Sequence, residues 1–148
     1  MTGKLQITVR QGRRARIVSR DIYNNIIVNN MKTQMCRMLG GDIGSAGSFR
    51  SVNRMQFGTG SLSETASDTE LQTPITPIKL IDPTTGVSYY SPYYVQFEAY
   101  LDFSEANGFA ISEAGLLCQD NSLAARKVFS GISKTSDYII EFRWRIRC

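Results

Sequence analysis

"YIIEFRWRIR", Tyr138 to Arg147, is the stretch that decides the fold. Tyr138, Ile140, Phe142, Trp144 and Ile146 alternate with Ile139, Glu141, Arg143, Arg145 and Arg147. A period of two puts the first set on one face of a strand and the charges on the other. Rings and aliphatics in such a row must be shielded from water, so the strand belongs to a sheet with one covered face.

Upstream, the same pattern recurs. In "YVQFEAYLDF" (94–103), Val95, Phe97, Ala99, Leu101 and Phe103 face one way, and Gln96, Glu98, Tyr100 and Asp102 the other. Asn107-Gly108 tolerates the positive φ of a type I′ turn and predicts a hairpin, with "FAISEAGLLC" (109–118) returning antiparallel. "QDNS" (119–122) turns again into "LAARKVF" (123–129). Further back, "VNRMQF" (52–57) predicts a strand, and "SDTEL" within the polar run 61–74 one helical turn. "ITPIKLID" (75–82) is extended and belongs at a sheet edge, because Pro77 lacks a ladder donor. "DPTTG" (82–86) is a turn. Residues 51–148 are thus expected to form an antiparallel meander.

Residues 1–50 are expected to add a hairpin and a helix to the same single domain, 1–148. Leu5, Ile7 and Val9 alternate in residues 4–10, Gln11-Gly12 turns, and "ARIVS" (15–19) returns. From Asn24 to Leu39 the period becomes helical, with Ile27, Met31, Met35 and Met38 on one stripe. Asp21 or Asn24 is the expected cap, Gly40-Gly41 the stop, the methionines core packing, and "GGDIGSAGS" (40–48) a loop. The fold class is all-β, an antiparallel β-sandwich or partly closed barrel with one amphipathic α-helix near the N-terminus.

Composition narrows the chemistry. Of 148 residues, 42% are hydrophobic and 20% charged, which is a globular balance. No apolar run approaches the ~18 residues of a membrane span, and "MTGKLQITVR" lacks a contiguous apolar segment, so neither a membrane nor a secretory leader is expected. With no histidine, mechanisms built on Ser-His-Asp, Cys-His or HExxH are excluded. Three scattered cysteines, Cys36, Cys118 and Cys148, make neither a disulfide framework nor a zinc pattern.

"MQFGTGS" (55–61) is the one stretch resembling a phosphate loop, but Ser61, Leu62, Ser63 and Glu64 follow where a Walker loop needs Lys-Ser/Thr. A dinucleotide fingerprint would need a third glycine in a βαβ unit. Gly58 and Gly60 are therefore expected only to bend the chain. Glu98, Asp102 and Glu105 fit a solvated face better than a carboxylate pair. Asp120, Asn121 and Asp102 lack EF-hand spacing for calcium. Glu113 shares strand parity with Phe109, Ile111 and Leu117, so an inward face would require a partner: Arg126 on the next strand, or turn amides.

Two surface features remain. Arg10, Arg13, Arg14 and Arg16 crowd the first hairpin of a chain with net charge +4, and "SYYSPYY" gathers Tyr89, Tyr90, Tyr93 and Tyr94. Tyrosines could stack bases beside a phosphate-gripping hairpin, but a Tyr- and Pro-rich edge suits protein contact better, since the ring buries area while the hydroxyl stays wet. No catalytic residue, cofactor, metal or small-molecule substrate is expected, and nucleic acid is the lesser partner.

Read in order, the FGTG turn (Phe57–Gly60), the DT-x-L segment (Asp68–Leu71), EANG (Glu105–Gly108), I-x-E-A-G-L (Ile111–Leu116), L-x-A-R-x-x-F (Leu123–Phe129) and Lys134–Thr135 resemble small structural proteins of tailed bacteriophages: tail-fibre, baseplate or neck-associated modules. The resemblance covers residues 52–147. It implies a non-enzymatic virion protein of the tail, collar or neck, or fibre attachment, partnered by other virion proteins and by its own copies in three- or six-fold assemblies. A capsid-associated or decoration protein is the alternative, and a small β-fold nucleic-acid-binding module the alternative of another class. Gly58, Gly60, Asn107, Gly108, Glu113 and Arg126 become fold determinants.

Overall fold

The computed structural model describes residues 1–40, 51–90 and 93–147, which leaves Gly41, most of the loop expected at 40–48, and Cys148 outside the described residues. Nine strands and one helix follow in the order β1 (Thr2–Gln11), β2 (Arg16–Ile27), α1 (Asn29–Leu39), β3 (Val52–Gly58), β4 (Pro74–Leu80), β5 (Val87–Tyr90), β6 (Tyr94–Leu101), β7 (Ala110–Cys118), β8 (Leu123–Ser133) and β9 (Tyr138–Arg147). Among the described residues the chain is all-β with a single helix.

The strands make one curled sheet, ordered β4-β3-β7-β8-β2-β1-β9-β6-β5. Curling is visible in the core: Phe57 of β3 and Phe142 of β9 stand five strands apart in that order, yet their ring centroids are 4.5 Å apart. The partly closed barrel is thus the form the fold takes. Its interior holds the alternating residues of β9, with Phe142, Trp144 and Ile140 fully buried beside Leu5, Ile7, Leu101, Met55 and Leu116. β4 forms one edge of the sheet, where Pro77 needs no ladder partner.

The order is no meander. Four hairpins, β1–β2, β3–β4, β5–β6 and β7–β8, are stitched through the non-consecutive pairs β3–β7, β2–β8, β1–β9 and β6–β9. Asn107-Gly108 accordingly closes no hairpin, because β6 pairs with β5 and β9 while β7 pairs with β3 and β8. The left-handed residues are Ala106 (φ 53°) and Gly108 (φ 87°), and the turn docks on the β8–β9 connection instead.

The N-terminal region departs from expectation in a physically legible way. Tyr23, Asn24 and Asn25 pair with Leu5, Lys4 and Gly3, so the ladder carries β2 to Ile27 and overrides local capping by Asp21 or Asn24. The helix begins at Asn29 after Val28, without a side-chain cap. It has no buried residue. Met31 packs partly on the core, Met35 is half-buried and Met38 is exposed, so the stripe flanks the barrel and does not fill it. "SDTEL" forms no helical turn; a hydrogen-bonded turn at residues 65–68, closed by Asp68 N to Thr65 O, runs into its start.

Candidate functional site

Two regions collect the residues singled out from the sequence. The first is the outer side of β3, β7 and β8, across which residues 59–73 are strapped. A register shift between Ile111 and Glu113 separates their faces: Ile111 joins the main core, while Leu117 joins a second cluster with Val28, Leu71 and Leu123. Glu113 is fully buried under the strap, not inside the barrel as strand parity suggested.

There it is the anion that the FGTG loop holds. Oε1 accepts from Gly60 N (3.1 Å) and Thr73 N (2.7 Å); Oε2 accepts from Gln72 N (3.1 Å) and from Arg126 Nε (3.0 Å) and Nη2 (2.8 Å). Gly58 and Gly60 lack side chains because a Cβ on either would collide with the Glu113 carboxylate. The loop bends the chain and also cradles a negative charge, one supplied from within the fold.

Arg126 extends the network. Its Nη1 donates to Asp68 Oδ2 (2.8 Å) and its Nη2 to Leu62 O (3.1 Å). Asp68 also accepts from Thr65 N (3.0 Å) and Thr65 Oγ1 (2.6 Å). Partial burial pushes the Asp68 carboxyl up, but the Thr65 hydrogen bonds and the Arg126 guanidinium outweigh it and hold the group below its ordinary value. Beside it, Lys127 pairs with Glu64, whose Oε2 accepts from Val128 N (3.2 Å). Gln72 Oε1 receives Ser61 N and Leu62 N, both at 2.8 Å. Charges and amides are therefore matched inside the clasp, as burial demands.

A smaller latch gathers Glu105, Asn107, Gly108 and Lys134. Buried Lys134 donates from Nζ to Asn107 Oδ1 (2.9 Å) and Thr135 O (3.0 Å), and its carbonyl accepts from Gly108 N (2.9 Å). Burial lowers the Lys134 pKa, opposed by the charges of Asp102 and Glu105. Glu105 binds Lys79 Nζ at 2.7 Å and 2.8 Å through its two oxygens. Sequence reasoning missed Asp68, Glu64 and Lys134 as network members. Asp68 and Lys134 were signalled only by their place within the ordered motifs, and Glu64, between the FGTG and DT-x-L motifs, carried no signal.

The second region is the surface. Tyr89, Tyr90 and Tyr93 are 83%, 48% and 74% exposed, and Tyr94 is half-buried. With Met31, Val52 and Ile81 they line a cleft of about 780 Å³ at one end of the half-barrel. The arginine hairpin is not beside them. Thr2 pairs with Arg147, which pairs with Tyr94, whereas Gln11 lies at the far end of β1. Ten residues of strand, about 30 Å, separate the two groups. Arg13 and Arg14 occupy the exposed turn and Arg16 opens β2, while Arg10 is engaged with Glu141 at 3.1 Å. The tyrosines meet the C-terminal arginines instead: Arg145 sits 5.6 Å over Tyr90 and Arg147 5.7 Å over Tyr94.

Glu98 pairs with Arg143 at 3.4 Å, Asp120 with Ser122 at 2.7 Å, and no group of three metal-ligating side chains gathers among the described residues. No helix there is long and apolar enough to cross a membrane. Comparison with family models, curated proteins and solved structures finds no match to this chain.

Proposed function

We propose that this chain is a non-enzymatic building block of a tailed-phage particle, part of the tail, the collar or neck, or a fibre attachment, working by symmetric association with its own copies and with other virion proteins. The carrying observation is the tyrosine rim: Tyr89, Tyr90 and Tyr93 stand exposed around an apolar cleft at one end of the half-barrel. Large amphipathic rings at the mouth of a cleft are what an interface core is made of, since each buries much area at low entropic cost.

The clasp supports the same reading. The phage-like motifs spend their charges on one another, Glu113 on Arg126 and Arg126 on Asp68. They hold the scaffold while its rim meets neighbours. Substituting Tyr89→Ala and Tyr93→Ala together tests the reading by light scattering at neutral pH and moderate salt. The double variant should scatter as a smaller species than the parent while keeping its unfolding temperature; an oligomer of unchanged size contradicts the placement of the interface.

A further inference from the structure

On the outer face of β1, β9, β6 and β5, register pairs the side chains in rows. One row is Thr2, Arg147, Tyr94 and Tyr90; the next is Lys4, Arg145, Gln96 and Ser88; the third is Gln6, Arg143 and Glu98. In the third row Arg143 is balanced by Glu98 at 3.4 Å, and beyond it Glu141 meets Arg143 at 2.6 Å and Arg10 at 3.1 Å. The first two rows hold Lys4, Arg145 and Arg147 with no carboxylate among the described residues. These three cations line a shallow pocket of about 500 Å³ together with Tyr90 and Tyr94.

We propose that Lys4, Arg145 and Arg147, framed by Tyr90 and Tyr94, receive an acidic segment of a neighbouring protein; the proposal rests on the assembly reading above. Three like charges around one pocket repel within a Debye length, about 8 Å at physiological salt, and an incoming carboxylate relieves that repulsion. The guanidiniums are held in place beforehand: Arg145 lies over Tyr90 and donates from Nε to Gln96 Oε1, and Arg147 lies over Tyr94. A stacked, oriented fork binds carboxylate oxygens with less loss of freedom than a free side chain.

Charge extent selects peptide over nucleic acid. Adjacent rows lie two residues apart, so the uncompensated stretch is about 7 Å long before Glu98 closes it. That length suits one or two carboxylates, whereas a single strand needs a continuous basic track for successive phosphates.

The test is fluorescence anisotropy of the full chain with fluorescein-labelled hexaglutamate, with labelled hexathymidylate as comparison, at low and moderate salt. Hexaglutamate should bind saturably and weaken as salt rises. Arg145→Ala with Arg147→Ala should reduce its affinity at least about tenfold, and Arg13→Ala with Arg14→Ala, at the opposite end of the sheet, should leave it unchanged. Absence of binding, an equal loss in the Arg13 and Arg14 variant, or tighter binding of hexathymidylate overturns the proposal, the last in favour of nucleic acid. Particle size read on the same samples separates the two readings. In the Arg145 and Arg147 variant, peptide binding lost with assembly intact supports the pocket alone; in the parent, assembly absent with peptide binding intact sinks only the assembly reading.

Discussion

Arg126 places two donors on one oxygen of Glu113: Nε at 3.0 Å and Nη2 at 2.8 Å both reach Oε2. That leaves Oε1 to the amides of Gly60 and Thr73, so a side chain of β7 ties β8 to both ends of the strap. Removing one partner of a buried pair strands the other, at a cost of about 3–5 kcal/mol. Glu113→Gln should lower unfolding free energy by about 3 kcal/mol, since it keeps the volume but replaces an acceptor oxygen with a donor facing Arg126 or the amides. In a double-mutant cycle, Glu113→Leu and Arg126→Met together should cost less than the sum of the singles, with coupling above about 1 kcal/mol by urea denaturation. Additive losses would mean that the pair is not a unit.

Gly60 and Gly12 separate two uses of glycine. A Cβ at Gly60 would meet Glu113 Oε1 at 2.5 Å, while at Gly12, with φ +68°, it would meet nothing within 4 Å. Gly60→Ala must displace the carboxylate and should cost about 1–3 kcal/mol. Gly12→Ala should cost about 1 kcal/mol from left-handed backbone alone. Thermal unfolding of the two variants checks the order; a larger loss at Gly12 would remove the carboxylate cradle from the explanation.

Acid should loosen the strap before it melts the barrel. Asp68 is held below 3.8, and Glu64 and Glu105 below 4.5, by hydrogen bonds and by Arg126, Lys127 and Lys79 respectively, against partial burial, which raises each. The folded state thus binds fewer protons than the unfolded one in this range, and stability falls with pH. The contribution is whole above 4.5 and is lost as pH drops through the folded values. Unfolding temperature measured from pH 6 to pH 3 should decline below about 4.5, and more shallowly in Asp68→Asn. An identical slope in that variant would show that Asp68 is not among the responsible groups.

Trp144 offers a test of the core. Its ring is fully buried, and its Nε1 has no hydrogen-bond partner among the described residues. Trp144→Ala should cost about 3–5 kcal/mol. Trp144→Phe gives up ring volume but also an unsatisfied donor worth about 1–3 kcal/mol, so its net cost should stay below about 2 kcal/mol in urea denaturation.

How much was legible follows from which forces are local. The alternation of Tyr138–Arg147 marks one buried face whatever lies beside it, and β9 has it. A carboxylate on an apolar strand demands a partner, which makes the link between Glu113 and Arg126 readable from adjacent strands. Strand order was not readable: Asn107-Gly108 is a genuine turn, but turn chemistry says nothing about whether β6 and β7 pair. Asn24 has the chemistry of a cap, yet pairing with Lys4, twenty residues away, decides its conformation. Lys134 resembles any surface lysine in a polar stretch, and its burial depends on the connection between β6 and β7 closing over it.

Sedimentation velocity of the full chain across a concentration series at neutral pH and moderate salt tests the central claim most directly. The account predicts a discrete oligomer that persists as salt rises, because tyrosine burial and not surface charge carries the contact. A single monomeric species at every concentration would contradict it.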